Sequence, residues 1–432
     1  MTRLQALLVG LLAGCSAGSS PVADGGTTEG PLDSLPLDTS PHDVLPPLDA
    51  ARCISASCVY PPPPRCFDGT TREVYDARGV CVDGRCEYGS RQESCATRCL
   101  AGICLVATHV LHVDGRNAGS EDGSVFHPFR TINAALAADD GEAAIFVAAG
   151  TYRERIKVVD KRVELAGGFA GGSATEYTEG TGGDFTDVDP HVHITVLNAP
   201  SGPSLSLTSA GASLIYGLTI TGAGRGILCQ RGSPTVASCT LVDNNAGQGN
   251  GGGLLAEDAC ALHLRDSLIE GNQANRGGGV AAYEGSVEVR GCVVRNNEGH
   301  DDHGGGLYLQ GVVDVHDNWI EGNRVGLSLG YGWGGGMVVL GDGTSARLSG
   351  NVVTGNSAPS AGGGVFIDDG TDAEVQNELY FKNSCGELGG AGLYVDGLSS
   401  SIRTTATLKN ITIADHGCAG ELGGGLLVEN AT

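Results

Sequence analysis

Titratable and cationic side chains recur on the outward side of one predicted strand in the second half of the chain. Four of them have the types that acid–base cleavage of a polysaccharide requires: Arg290, Asp314, His316 and Arg347. A lyase or a hydrolase needs a base or paired carboxylates, together with a cationic group, on one surface. Opposite charges on neighbouring strands are also normal on a soluble sheet, where they pair with each other. The four residues are therefore catalytic candidates, and cross-strand pairing is the competing interpretation.

Aromatic residues occupy a different outward position, on the strand that follows each cluster of glycines. Tyr308, Phe366 and Tyr394 take this position in three of the repeats. A ridge of outward aromatic rings suits a sugar or a protein partner. Packing beneath an adjacent loop is the alternative, so ligand binding at these residues is a hypothesis.

Three carboxylates lie two residues beyond the aromatic position of their strands: Asp368, Asp396 and Glu429. On adjacent strands they would repel one another unless a cation lay between them. Calcium accepts oxygen ligands in irregular geometry, so these residues are candidates for a calcium site, with a solvated acidic face as the alternative. We expect no other cofactor. The segment from His300 to His303 has metal-ligand character but is predicted to be a polar loop.

Cysteines occur in two settings. Eight lie between Cys53 and Cys104, and this density in an exported chain predicts a small disulfide module whose connectivity the sequence does not choose. The paired Cys-x-x-Cys spacings of a zinc site do not occur there. In the later repeats, Cys385 and Cys418 occupy the same phase of neighbouring units. Adjacent strands would bring them within disulfide distance, and we predict that bond.

The elements that position these residues follow from an internal repeat. Glycine clusters end at seven positions from Gly253 to Gly425, so 172 residues divide into six intervals of about 29 residues. A period of this size indicates a solenoid. Apolar residues alternate with period two after each cluster, which indicates a strand, and two further short apolar pairs follow in each unit.

Corners separate the three strands predicted for each unit. Residues that tolerate a left-handed backbone follow the second strand, namely Asp266, Gly291, Asp317, Gly350, Asn377 and Asn410. Equivalent strands of successive units then pair in parallel about 4.8 Å apart. Glycine triplets argue against helical repeats. The sequence therefore predicts an all-β fold, with a right-handed parallel β-helix whose regular coils occupy 217–432 and stop in mid-coil, which indicates a truncated C-terminus.

Two parts of this domain resemble known families. The glycine triplet with a later asparagine is similar to the repeat of chlamydial polymorphic membrane proteins. The motifs at 112–115, 128–136 and 145–154 resemble the opening domain of bacterial pectin-lyase-like β-helix proteins. The resemblance implies that residues 110–216 form the N-terminal cap and first coils. Thr131 is expected to cap a short helix that closes the stack.

The first 104 residues have a different character. Residues 1–15 have the features of a secretory signal and end in Leu12-Ala13-Gly14-Cys15, which resembles a bacterial lipobox and implies lipidation of Cys15. Residues 16–52 have the composition of a disordered tether. The cysteine pattern of 53–104 resembles a small module of myxobacterial surface lipoproteins.

Charge and anchoring narrow the expected function. The formal net charge is -24, with no stripe of Lys and Arg, which disfavours nucleic-acid binding. The sequence therefore predicts a lipoprotein of the outer membrane, held by its lipid anchor and exposed at the cell surface or facing the periplasm, whose β-helix binds a glycan or protein partner. A polysaccharide lyase or glycoside hydrolase on the pectin-lyase-like scaffold is the alternative, because one fold accommodates both.

Overall fold

The computed structural model describes residues 61–62, 64–76, 78–82, 85–100, 102–222, 224–300, 303–326, 330–397, 403–420, 424–429 and 431. The predicted lipidation site Cys15, the linker over 16–52 and the first two cysteines of the module, Cys53 and Cys58, lie outside these residues. No helix in the described ranges is long and apolar enough to cross a membrane.

The cysteine-rich module consists of short antiparallel strands tied by disulfides. Its strands are Arg65–Cys66, Thr71–Tyr75, Val80–Val82, Arg85–Glu87, Ser90–Ser94, Cys99–Leu100 and Ile103–Cys104. Disulfides join Cys66 to Cys99 and Cys95 to Cys104. Cys81 and Cys86 are each disulfide-bonded as well. The prediction of a disulfide module is confirmed for these six cysteines.

The rest of the chain winds into stacked coils with three strand positions each, which confirms the predicted parallel β-helix. The first-strand column contains Ile156–Val159, Leu205–Thr208, Ile227–Gln230, Leu254–Glu257, Met337–Leu340, Val365–Asp368, Leu393–Asp396 and Leu426–Glu429. The second-strand column contains Glu164–Gly171, Leu214–Tyr216, Thr235–Ala237, Ala261–Arg265, Ser345–Ser349, Asp372–Gln376 and Thr405–Lys409. Two long strands, Val280–Arg290 and Leu307–His316, serve both columns.

The third-strand column forms a separate parallel sheet. Its strands are Gly150–Tyr152, Thr195–Ala199, Leu218–Gly222, Thr240–Val242, Leu268–Glu270, Val293–Arg295, Trp319–Glu321, Val352–Thr354, Leu379–Phe381 and Thr412–Ala414. Short bridging strands follow it at Gln273–Ala274, Glu298–Gly299, Ser357–Ala358, Ser384–Cys385 and Gly417–Cys418. The remaining strands, at the N-terminal end, are His109–Val113, Ala143–Ala148 and the antiparallel Asp184–Val188.

Two short helices lie near the start of the β-helix. The first, Ile132–Ala138, begins after Thr131, whose side chain accepts a hydrogen bond from the amide of Ala134, as predicted. Its apolar side chains are buried against the first coils, so it acts as the expected cap. The second, Ala174–Glu179, begins with a capping box between Ser173 and Glu176.

An asparagine ladder runs through the interior at the turn after the third strand. Its members are Asn244, Asn272, Asn297, Asn323, Asn356 and Asn383, each fully buried. Each side-chain oxygen after the first accepts hydrogen bonds from the backbone and side-chain amides of the preceding member, as between Asn297 and Asn323 at 3.0 and 2.9 Å. Each side-chain NH₂ also donates to a carbonyl of the preceding coil. Asparagine therefore recurs because it satisfies backbone groups that the turn leaves unpaired.

The predicted corners and the predicted disulfide are confirmed. All six residues after the second strand have a positive φ, from 49° at Asp266 to 70° at Gly350. Cys385 and Cys418 are bonded across adjacent coils, with Cα atoms 4.5 Å apart. A second disulfide, between Cys229 and Cys260, joins two earlier coils.

Candidate functional site

A polar cluster covers the outward side of the second-strand column over four successive coils. Its members are His263, Arg265, Glu288, Arg290, Asp314, His316 and Arg347. The alternate residues of these strands point into the apolar core, which fixes the cluster members on the outer side. Parallel register then stacks Glu288 beside Asp314 and Arg290 beside His316. All four catalytic candidates from the sequence therefore lie together.

Glu288 is held by a histidine from each neighbouring coil. Its Oε2 lies 2.7 Å from Nδ1 of His263, and its Oε1 lies 3.6 Å from Nε2 of His316. Hydrogen bonding to these two histidines holds the pKa of Glu288 far below its usual range, although burial acts in the opposite direction. Glu288 is therefore ionised at neutral pH. The sequence did not distinguish it from other outward carboxylates, because its partners come from separate repeats.

His316 is protonated at neutral pH. Burial lowers its pKa, but hydrogen bonds to Asp317 and Glu288 outweigh burial and raise the pKa to about 9. The bond to Asp317 joins Nδ1 to Oδ2 at 3.0 Å. His316 thus carries a positive charge between two carboxylates, which stabilises both in their ionised forms.

Asp314 has a different environment from Glu288. Its Oδ1 is buried and has no hydrogen-bond partner in the described part of the chain. Burial raises the pKa of Asp314, His316 opposes the rise, and the charge of Glu288 adds to it. The Nε of Arg290 is likewise buried without a partner among the described residues. Two adjacent carboxylates of the cluster therefore differ in their tendency to hold a proton.

The aromatic position of the first-strand column is buried, so the prediction of an exposed ridge at these residues is wrong. Tyr308, Phe366 and Tyr394 are each 3% exposed. Phe366 and Tyr394 stack with ring centroids 5.3 Å apart. The three residues belong to an apolar cluster that is distinct from the interior core. Strand alternation correctly predicted that their side chains point outward, but residues from the loops of two coils cover that side.

The covering residues form an aromatic layer, which we define as His303, Tyr331 and Trp333. The rings of His303 and Trp333 stack with centroids 5.3 Å apart and an interplanar angle of 25°. Tyr331 meets Trp333 edge to face at 5.8 Å and is 45% exposed. Both stacked rings pack on Phe366, at 6.1 and 6.3 Å. Parallel bridging between His303 and Trp333 shows that the coil register extends into the loops.

Sequence reasoning missed Trp333 and Tyr331 and assigned His303 only to a polar loop. The missed residues precede a glycine triplet and take no part in strand alternation. The available signal was the spacing of the two aromatic residues in Tyr331-Gly332-Trp333. Two residues apart in an extended segment, they point to the same side, although they precede the strand itself.

The three carboxylates proposed for calcium are not assembled into a metal site. Asp368 is buried and lies beside Leu340 in register. The hydroxyl of Tyr394 donates to Glu429 at 2.7 Å and lies 3.2 Å from a carboxylate oxygen of Asp396, so both carboxylates contact this tyrosine. Across the described ranges, no group of three or more His, Cys, Asp or Glu is arranged to hold a metal ion.

Comparison with known proteins finds one family model that matches part of the chain. Residues 113–282, less than half of the chain, match the model described as "Protein of unknown function (DUF1565)". None of the curated proteins matches the sequence.

Two solved structures are similar to the chain. The crystal structure of pectate lyase Pel9A is 15% identical over 76% of this chain and 78% of that chain, with a TM-score of 0.46. The structure of the pectin methylesterase from Aspergillus niger in deglycosylated form is 12% identical over 73% of this chain and 87% of that chain, with a TM-score of 0.34.

Proposed function

We propose that this protein is a lipid-anchored protein of the outer membrane whose β-helix binds a glycan through the aromatic layer. The observation that supports binding is the stack of Trp333 on His303 with the exposed ring of Tyr331 at its edge. Aromatic side chains offer a wide apolar face and a polar edge. A sugar ring presents the matching combination of apolar faces and hydroxyl groups.

The aromatic layer is preorganised by what lies beneath it. Trp333 and His303 rest on Phe366, which in turn stacks on Tyr394 in the next coil. The ordering of these side chains is part of folding, so a ligand does not have to order them again. A rigid platform of this kind favours a stiff, repeating ligand.

The size of the layer favours a glycan over a protein partner. A stable protein–protein interface needs about 800 Å² on each side. The aromatic layer has three adjacent rings. Tyr331 is 45% exposed and the other two are half-buried, so together they provide much less than this area. A short segment of polysaccharide fits such a surface without further contacts.

Binding is tested with a panel of neutral and acidic oligosaccharides on an array, followed by titration of the hits. The chain has two tryptophans, so Trp319→Phe leaves Trp333 as the only indole and its fluorescence reports directly on the layer. We expect a saturable fluorescence change in Trp319→Phe and at least about a tenfold loss of affinity in Trp333→Ala, which corresponds to about 1.4 kcal/mol. Trp319→Ala is the matched control, because Trp319 lies in the third-strand column, which forms a separate sheet. Wild-type affinity in both Trp333→Ala and Tyr331→Ala would contradict the proposal.

The anchor is tested separately. Lipidation of Cys15 predicts that the protein incorporates labelled palmitate and fractionates with outer membranes, while Cys15→Ser does neither. Two or more acyl chains are needed for firm anchoring, so the loss in the variant is expected to be complete. A Cys15→Ser protein that still fractionates with membranes would contradict lipid anchoring without affecting glycan binding.

A further inference from the structure

Glu288 and Asp314 stand side by side on the polar cluster, in a column separate from the aromatic layer. They are direct partners in the parallel register of two coils, and both project outward. Neighbouring strands lie about 4.8 Å apart, so the two side chains leave the sheet at about that separation. Retaining glycosidases hold their two carboxyl groups about 5–5.5 Å apart, whereas inverting ones need about 6.5–9.5 Å. The separation at which the two side chains leave the sheet is therefore closer to the retaining arrangement than to the inverting one.

Ordinary cross-strand pairing accounts for Glu288, which meets a histidine of each neighbouring coil, but leaves one oxygen of Asp314 without a partner among the described residues. Elsewhere on the outer faces, carboxylates meet a cation of the next coil, as Glu374 meets Lys409 at 3.0 Å and Glu270 meets Arg295 at 2.9 Å. Asp314 also has a cation, Arg347, in register on the next coil, yet its Oδ1 is buried and has no partner in the described part of the chain. Buried polar atoms in folded proteins are almost always hydrogen-bonded, so this carboxylate oxygen on the outer face can accept a hydrogen bond from a ligand.

The two carboxyl groups also differ in what surrounds them. Glu288 accepts from His263 at 2.7 Å and lies 3.6 Å from His316, which stabilises its ionised form. Asp314 receives no such bond at Oδ1 and is half-buried beside the charge of Glu288, which favours its protonated form. Glycosidic cleavage requires one ionised carboxylate and one carboxyl group with a raised pKa, and the pKa values of Glu288 and Asp314 are shifted in these two directions.

We propose that Glu288 and Asp314 are the nucleophile and the acid–base residue of a retaining glycoside hydrolase site. Asp314 gives its proton to the glycosidic oxygen while the Glu288 carboxylate bonds to the anomeric carbon, and the bond between that carbon and the glycosidic oxygen breaks. The leaving sugar departs with a hydroxyl group. Water then bonds to the anomeric carbon, Asp314 takes a proton from that water, and the ester to Glu288 breaks. The net reaction consumes one water and cleaves one glycosidic bond.

His263 and His316 are positioning residues in this scheme. Both contact Glu288 rather than the substrate, and they come from the coils on either side of it. They fix the orientation of the Glu288 carboxylate and keep it unprotonated. The activity is independent of the glycan binding proposed above, because none of these residues belongs to the aromatic layer.

Mechanism-based labelling tests the pair for any of several sugar configurations. The purified protein is incubated with cyclitol epoxides of gluco, galacto, manno, xylo and glucuronic configuration, which form an ester only with a retaining nucleophile assisted by an acid. We expect one of these probes to add its mass to the peptide that contains Glu288, and Glu288→Gln to remove the label. Asp314→Asn should label at least about 100-fold more slowly, since a general acid contributes about 10²–10⁴-fold.

The pH dependence separates catalysis from a structural effect. Labelling by the wild-type protein should fall as pH rises and Asp314 loses its proton, and this basic limb should disappear in Asp314→Asn. Glu374→Gln is the matched control on the same outer face and should label at the wild-type rate. Absence of labelling with every probe, or labelling that survives Glu288→Gln, would overturn the proposal. Trp333→Ala should label the small epoxides normally, so a failure of glycan binding does not imitate a failure of catalysis.

Discussion

The first- and second-strand columns both direct alternate residues away from the core, yet these residues meet opposite environments. On the first column Tyr308 and Phe366 are 3% exposed, and on the second Val312 is 62% exposed. The difference comes from the loops of two successive coils, one with His303 and one with Trp333, which pack over the first column and leave the second uncovered. An outward position on a strand therefore does not by itself mean exposure to solvent.

The largest loss of stability is expected at Phe366, on the covered first-strand column. Phe366→Ala removes a ring that is buried between the strand and the aromatic layer, and we expect a loss of about 3–5 kcal/mol in the free energy of unfolding. Urea unfolding followed by circular dichroism measures it. A loss below about 1 kcal/mol would mean that the aromatic layer does not pack on this column.

A smaller effect is expected when the cover itself is removed. Trp333→Ala exposes one side of Phe366 but deletes a side chain that is only partly buried, so we expect a loss of about 1–3 kcal/mol. The same variant should bind more of the dye ANS, because the apolar cluster beneath becomes accessible. Unchanged stability together with unchanged dye binding would contradict the covering role of this loop.

The second-strand column is expected to make stability depend on pH through His316. Its folded pKa, about 9, lies above the unfolded value of about 6.5, so its contribution is complete below pH 6.5 and is lost as pH rises through 9. Allowing for solvent screening, the contribution is about 1–2 kcal/mol. Unfolding midpoints of the wild type and His316→Gln should converge between pH 6.5 and 9. If the midpoints of the two proteins changed in parallel over this pH range, the contribution of His316 would be contradicted.

Glu378, an interior carboxyl group, makes the stability depend on pH over an overlapping range, so it is tested with its own variant. Burial raises the pKa of Glu378 to about 8 from an unfolded value near 4.5, although hydrogen bonds from Asn351 oppose the rise. The folded state therefore prefers the protonated form, and stability is lost as pH rises from 4.5 through 8. Glu378→Gln should remove this loss while leaving the His316 range intact. A wild-type slope in Glu378→Gln would show that the group is ionised in the folded protein.

The smallest effect is expected at an ordinary pair of the uncovered face. Glu374 and Lys409 lie on adjacent coils at 3.0 Å, with side chains 45% and 59% exposed. Pairs of this kind contribute about 0.2–1 kcal/mol, so Lys409→Ala should change the free energy of unfolding by no more than about 1 kcal/mol. A loss comparable to that of Phe366→Ala would erase the distinction between the two columns.

Much of the scaffold could be predicted from the sequence, and less of the candidate site. The left-handed corners such as Asp266 and Asn377, the cap at Thr131 and the Cys385–Cys418 bond all follow from local residue preferences repeated at a fixed interval. The two-histidine environment of Glu288 did not follow, because it joins three repeats whose outward residues differ from unit to unit. The contacts of the carboxylates in the predicted calcium column did not follow either, since the Tyr394 hydroxyl reaches Asp396 and Glu429 from the neighbouring outward position.

The sequence by itself determined that the chain coils, which residues turn its corners and which side chains point away from the core, because these properties depend on backbone preference and strand alternation within one unit. Only the tertiary structure decided which outward residues see solvent, which carboxylate meets a histidine and which retains an unpaired oxygen. Those properties depend on the loop or neighbouring coil that packs against each side chain, and a repeat pattern carries no information about what covers it.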